Sequence, residues 1–285
     1  MAATLKHLGS EVHEVAQRGF GKGTNEHYDF ARPNFPVTAI EKIWEQLPKK
    51  DGPLNIVDRM GCGTGLFTRS LLAHPEFSKH TGALLATDPS EGMRSVFTQR
   101  LAHDPRVRCE EGTFDRLPVE DGWADLVVAA QAWHWCPDHD KALTEIHRIL
   151  RPTGLLALIW NLEDRDTAWV GQLRDAYEPF ELGTPQFRLG LWRTTFQCEA
   201  YKKWFESEKE GDVDHLVPTT REGVVNRVFS KSYMTGVQGH EREEVTKKLE
   251  EIVDRGEGKQ WVDKEKGVFN WPYRTYVITC KLKGQ

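Results

Sequence analysis

The sequence predicts an α/β fold, a parallel sheet with helices on both faces. Three observations carry that expectation. Short apolar runs recur between Leu54 and Trp160, amphipathic stretches of helical period separate them, and the first run ends in a glycine-rich turn, "GCGTG". Strands that are apolar on both sides need cover on both sides, and alternation with helices supplies it.

Taken in order, the first thirty-odd residues are polar and punctuated by glycine, and the prolines of "ARPNFP" fix an extended segment. "VTAIEKIWEQL" carries Val37, Ile40, Ile43, Trp44 and Leu47 on one helical stripe. "LNIVD" reads as a buried strand, "GLFTRSLLAH" as a helix, "ALLATD" as a strand and "SEGMRSVFTQRLA" as a helix opened by Ser90. "VRCEEG" is a third strand and "ADLVVAAQA" a nearly continuous apolar fourth. "DKALTEIHRIL" is an amphipathic helix stopped by Pro152, and "GLLALIW" is a fifth buried strand. Beyond Asn161 the pattern loosens. "DTAWVGQLRDAYEPF", "QFRLGLWRTTF" and "HEREEVTKKLEEIVDRG" read as helices, and the end of "VFNWPYRTYVITCKL" alternates as a strand. No repeat, low-complexity tract or linker divides the chain. The expectation is one domain over 1–285, with an N-terminal cap (1–36), a core (37–161) and a last part (162–285) that brings a helical lid insertion after the fifth strand and then the C-terminal strands.

Composition narrows the function classes. Apolar residues at 39% and charged ones at 28% are ordinary for a soluble globular chain. A formal charge of −5 offers no general attraction to nucleic acid or an anionic membrane. No run approaches the roughly 20 apolar residues of a membrane span, and "MAATLKHLGSEVHEVAQRG" lacks the apolar centre of a signal peptide, so a cytoplasmic address is expected. Cys62, Cys109, Cys136, Cys198 and Cys280 show no metal-ligand spacing, which fits reduced thiols and no metal. Nucleic acid and membrane are therefore not expected partners.

The chemistry gathers at the glycine turn. Gly61, Gly63 and Gly65 form G-x-G-x-G between the first strand and the first core helix. Glycines there turn the chain tightly and let a ligand approach the backbone, while the following helix offers free N–H groups. "ATDPSEGM" then places Asp88 at the end of the second strand, where an acid can accept two hydrogen bonds from a ribose diol, or, on the plainer alternative, cap the helix beside Ser90. Met93, one turn on, could cover an adenine face or pack in the core. The dinucleotide fingerprint is G-x-G-x-x-G, a spacing this turn lacks.

The stretches "GCGTGLFTR", "ATDPSEGM", "EGTFDRLPVEDGWADLVVAAQAWHW" and "ALTEIHRILRPTGLLALIWN" follow one another over Leu54–Asn161. In that order they resemble the class I S-adenosylmethionine-dependent methyltransferases, particularly the small-molecule group of ubiquinone-type and trans-aconitate-type enzymes. "YDFARPNFP", "TPQFRLGLWRTTF" and "SKSYM" look like a fungal branch of it. The resemblance implies a Rossmann-like seven-stranded sheet, mostly parallel with an antiparallel last strand, and S-adenosyl-L-methionine as cofactor. It implies that Gly61, Gly63 and Gly65 line the methionine and ribose portion, that Asp88 holds the ribose and that Met93 packs on adenine. Thr113 and Phe114 would contact the adenine edge, and Gln131 would sit near the methyl group. Thr113 stands where the family often has Asp.

One departure is plain. The family reads acid-x-Gly-x-Gly-x-Gly, the acid neutralising the ligand's ammonium; here Arg59 and Met60 both stand between Asp58 and Gly61. Either the strand end bulges and keeps Asp58 in range, or Arg59 replaces the acid. The second case would leave a degenerate member acting as a regulatory or complex-forming subunit.

At the reacting end, "QAWHWCPDHD" follows the fourth strand, and His134 is the candidate catalytic residue, as base or as orienting donor. A carboxylate acceptor would need no base. Trp133, Trp135, Trp160, Trp169 and Trp192 are candidate walls for an apolar or planar acceptor. Arg188 and Arg193 could pair with an acidic substrate, and Tyr28 and Arg32 could close over the cofactor. The expected function is methyl transfer to a small acid or secondary metabolite.

Overall fold

The computed structural model describes residues 31–48, 52–58 and 61–284. Its first helix, α1 (Val37–Trp44), starts after Pro36 and buries Ala39, Ile40 and Ile43. Then come β1 (Leu54–Asp58), α2 (Leu66–Ala73), α3 (Pro75–His80), β2 (Thr81–Thr87), α4 (Glu91–Leu101), β3 (Val107–Glu110), β4 (Ala124–Ala130), α5 (His139–Ile149) and β5 (Leu150–Glu163). The helical insertion follows β5 as expected, with α6 (Ala168–Tyr177), a series of 3-10 turns over Glu178–Gln197, and α7 (Glu199–Trp204). β6 (Lys209–Thr219), α8 (Arg221–Phe229), α9 (Gly239–Arg255), β7 (Gln260–Asp263) and β8 (Val268–Lys281) complete the chain.

Among the described residues eight strands form one sheet in the order β3-β2-β1-β4-β5-β8-β6, with short β7 beside β8. β1 to β5 pair in parallel, and β8 runs antiparallel between β5 and β6. The expected seven-strand array is therefore present with one strand added, since β7 pairs with the part of β8 that extends past the end of β5. Every residue of β4 is buried, as its apolar run requires. One sheet face packs under α1, α2 and α4 through residues such as Ile40, Phe67 and Phe97, and the other under α5 and α7 through Trp133, Ile146 and Tyr201. A third cluster joins α6, α8 and α9 to the start of β8 around Trp169, Val228, Leu249 and Trp271.

Three local expectations change. "QFRLGLWRTTF" forms 3-10 turns broken by Gly190 at φ +70°, not an α-helix. Helix α5 ends at Ile149, before Pro152, because β5 has already begun. β6 was missed: its exposed edge alternates with half-buried positions, so "KEGDVDHLVPT" lacks an apolar run.

Candidate functional site

The strand order reverses between β1 and β4, and an open parallel sheet has its binding crevice outside the strand ends at that point. The ends of β1, β2, β4 and β5 bring Asp58, Asp88, Gln131 and Asn161–Glu163 to this edge.

The glycine turn is built without side chains for two different reasons. A Cβ on Gly65, at φ +85°, would lie 3.0 Å from both Phe97 and Leu101, so Gly65 is demanded by packing against α4, and it is not on the wall of the cavity beside the turn. Gly63, at φ +56°, meets nothing nearer than 3.8 Å and faces a cavity with Gly61, Cys62 and Thr64. The hydroxyl of Thr64 is buried there without a partner. Gly63 N–H donates to Asp88 Oδ2 at 3.0 Å and Ser90 N–H donates to Oδ1 at 2.8 Å. The two places the sequence marked as one grip are thus in direct contact. A carboxylate has about four lone-pair sites, so Asp88 keeps capacity for about two more donors. Burial pushes it up to about 6 against those N–H bonds and Arg94.

Asp58 is wholly buried at the end of β1. Thr68 of α2 donates to its Oδ2, and Oδ1 has no partner. Burial raises the carboxyl to about 7 even so, with Asp88 adding repulsion. Arg59, Met60 and Tyr28, on which the bulge, the substitution and the closing cap depended, lie outside the described residues. Met93 and Phe114 are buried, Phe114 edge-on to Trp133 at 5.7 Å. Thr113 donates to Asp115 at 2.7 Å, so an acid missing at Thr113 stands two residues on. None of Asp58, Asp88, Met93, Thr113 and Phe114 is on a wall of the two cavities at this edge.

Gln131 holds φ +54°, a strained value for a residue with a side chain, between an N–H bond to Ile159 O and an Nε2 bond to Asn161 O, both 2.8 Å. It lines the glycine-loop cavity of about 40 Å³ and a second cavity of about 80 Å³, and Asn161, Arg32 and Arg227 line both as well. Asn161 also donates to Asn34 O at 3.1 Å, tying the "ARPNFP" segment over the sheet edge.

His134 lines the larger cavity. The Trp160 indole N–H donates to its Nδ1 at 3.1 Å. An indole nitrogen only donates, so Nδ1 must accept and the neutral ring carries its proton on Nε2. Burial, with Arg32 adding to it, pushes the imidazole down to about 3. In this arrangement His134 presents a neutral ring with its donor at Nε2, which suits the orienting role considered from sequence better than the base role. Of the tryptophans, Trp135 lines the cavity; Trp133, Trp160, Trp169 and Trp192 are core. Arg188 is on the wall, paired with Glu181, whereas Arg193 pairs outside it with Glu210 at 2.5 Å.

Sequence reasoning missed Glu163, Arg174, Arg227 and Lys231, all buried and all on the larger cavity's wall. Glu163 Oε1 accepts from Arg227 Nη2 and Lys231 Nζ, each at 2.8 Å. Burial alone would raise Glu163, but these two cations hold it well below the carboxylate range. Lys231 falls to about 7 because burial and the cations Arg227 and Arg32 outweigh Glu163.

Residues 59–158 match the family model of a methyltransferase domain. An uncharacterized methyltransferase-like protein of Schizosaccharomyces pombe is 29% identical over 62% of this chain and 64% of its own length. An uncharacterized methyltransferase of Mycobacterium tuberculosis is 33% identical over 51% and 54%. A malonyl-[acyl-carrier protein] O-methyltransferase of Pectobacterium atrosepticum is 29% identical over 55% and 58%, so the chain spans less than two thirds of each of these relatives. In fold the chain is similar to a candidate type II methyltransferase from Anaeromyxobacter dehalogenans, at TM-score 0.59 and 18% identity over 88% of this chain and 97% of that one. The matched stretch of the chain is therefore similar to a methyltransferase domain, and the sheet is similar to that of solved methyltransferase folds. Among the described residues no helix is long and apolar enough to cross a membrane.

Proposed function

We propose that the chain transfers a methyl group from S-adenosylmethionine to a small organic acid, within the small-molecule group of class I methyltransferases. The observation that carries this reading is the junction of the two cavities at Gln131 and Asn161, one cavity beside the bare glycine turn and the other lined by buried cations.

The cofactor, when bound, supplies a methyl on a sulfonium, an electrophile open to in-line displacement. Gly61, Gly63 and Thr64 would take its amino-acid end, and the unpartnered Oδ1 of Asp58 has the charge to answer an ammonium. Asp88, already fixing Gly63, would accept from the ribose hydroxyls; Met93, Thr113 and Phe114 would bound the adenine. For the acceptor, His134 would donate from Nε2, and Gln131 would hold the transfer point. With His134 placed as a donor and not a base, a nucleophile with no proton to lose is favoured, a carboxylate over an alcohol. The protein's contribution is then alignment and exclusion of water.

Calorimetric titration with S-adenosylhomocysteine tests the cofactor half, with micromolar binding expected and lost in Asp88→Ala. Incubation of small carboxylic acids with labelled methyl donor tests the rest. Silence toward both S-adenosylmethionine and S-adenosylhomocysteine would refute the reading in favour of a non-catalytic member.

A further inference from the structure

We infer that Cys62 and Cys109 close into a reversible disulfide that distorts the glycine turn and weakens cofactor binding there; the second half rests on the methyl-transfer reading above. Their sulfur atoms lie 3.9 Å apart, Cys62 in the turn and Cys109 on β3, although 47 residues separate them in the chain. Both are free thiols. A disulfide bond is about 2.05 Å long, so closure needs about 2 Å of approach. The turn is able to give, because Cys62 stands between Gly61 at φ +87° and Gly63 at φ +56°, and no Cβ braces either neighbour. Cys109 is paired in register with Ala86 on β2, and Cys62 N–H donates to Thr87 O at 3.3 Å, so the end of β2 holds the two cysteines at one level. Cys136, Cys198 and Cys280 belong to the cluster on the other face of the sheet and lie outside this arrangement.

The pair brackets the acid on which the cofactor reading depends. Gly63, next to Cys62, donates its N–H to Asp88 Oδ2 at 3.0 Å, and Asp88 N–H donates to the carbonyl of Glu110, next to Cys109, at 3.3 Å. Cys62 itself lines the cavity beside the turn. Drawing the two sulfurs together therefore moves the cavity wall and pulls on two of the bonds that hold Asp88. Cys62 is 5% exposed and burial pushes its thiol up, so it is a poor first nucleophile, whereas Cys109 is half-buried and meets the oxidant first. With a peroxide, the Cys109 sulfur takes one oxygen as a sulfenic acid and one water leaves. The Cys62 sulfur then displaces the sulfenic hydroxyl, which leaves with the thiol proton as a second water. The two sulfurs have together lost two electrons, and the peroxide has gained them. A thiol reductant reverses the change by exchange through a mixed disulfide.

The experiment treats the full reduced chain with hydrogen peroxide and reads it in two ways. Peptide mapping without reduction, by mass spectrometry, is expected to find the Cys62 and Cys109 peptides joined with the loss of two hydrogen atoms. Calorimetry is expected to show S-adenosylhomocysteine binding tenfold or more weaker after oxidation, with recovery on adding dithiothreitol. Cys109→Ser, and Cys109→Ala as a second variant, remove the partner without touching the turn. Each should bind S-adenosylhomocysteine within twofold of the reduced wild type, before and after peroxide. Absence of the Cys62–Cys109 link in the oxidised wild type overturns the inference, whether the thiols stay free or Cys109 runs on to a sulfinic acid. A link that leaves affinity within twofold overturns its effect on the turn, and so does a loss of affinity on oxidation that persists in both variants. Reduced wild-type protein that fails to bind S-adenosylhomocysteine overturns the methyl-transfer reading, and the peptide map then judges the link by itself.

Discussion

Asp58→Asn puts the buried carboxylate to a quantitative test. A carboxyl raised from 3.8 to about 7 costs the folded state about 4 kcal/mol once fully ionised. Below pH 3.8 it is protonated folded and unfolded alike, and costs nothing. The penalty grows as pH rises from there and is complete above about 7. Asparagine has no such penalty, and its carbonyl can still accept from Thr68. Its amide, however, takes the place of an oxygen that has no partner, which costs about 1–3 kcal/mol at every pH. The variant should therefore be less stable than wild type near pH 4 and about 1–3 kcal/mol more stable at pH 8, with the curves crossing between. Urea denaturation at the two pH values reads this directly, and groups unchanged by the substitution largely cancel in the difference. Ligand affinity should move the other way. Losing the charge opposite an ammonium costs about 1.5–3 kcal/mol, a tenfold or greater loss for S-adenosylhomocysteine. A stability difference that does not change with pH would refute the raised carboxyl, and unchanged ligand affinity would refute its role.

Other substitutions separate packing from binding. Gly65→Ala should cost about 2–5 kcal/mol, combining a left-handed backbone with contact on Phe97 and Leu101, as read from thermal or urea unfolding. Gly63→Ala has space for its methyl, so it should cost only about 1–2 kcal/mol of stability while weakening S-adenosylhomocysteine more than Gly65→Ala does in calorimetry. In nitrogen-15 NMR, His134 should show the Nε2–H tautomer without protonation down to about pH 4, and Trp160→Phe should let the Nδ1–H form appear. Arg193→Ala, at an exposed pair, should change stability by under about 1 kcal/mol and leave the acceptor KM unchanged, whereas Arg188→Ala should raise that KM.

The sheet was legible wherever burial leaves a mark in composition. β4 is buried at every position and apolar at all but one, so the sequence could be read as a strand directly. The exception, Asp125, is held by two bonds from Arg151 at 2.9 Å, a contact no periodicity reveals. β6 left no mark because an edge strand needs only one half-buried face, and its charged residues conceal it. The 3-10 turns over Phe187–Gln197 keep aromatic residues at helix-like intervals, yet left-handed Gly190 interrupts the chain between two turns. Spacing alone reads the aromatics and not the interruption.

The site divides along the same line, between local sequence and distant assembly. The glycine turn and Asp88 were legible because a strand end fixes where the next residues go; the 3.0 Å bond from Gly63 to Asp88 follows from neighbouring strand ends. Glu163, Arg227 and Lys231 were not, since 64 and 68 residues separate the carboxylate from its cations. Each alone reads as an ordinary surface charge. They meet because β5 runs on to Glu163, beyond the apolar "GLLALIW", and because α8 packs its Val224 and Val228 beneath α6 and β8, delivering Arg227 and Lys231 to that end. A buried charge survives there only if something answers it, and one carboxylate answers two cations. The glycine-turn end of the cavity system is thus set by local turns, whereas the other end is assembled from the insertion after β5 and from α8, which follows β6. On the proposed reading, changes in those distant elements would alter acceptor choice while leaving the glycine turn, built from β1 and α2, as it is.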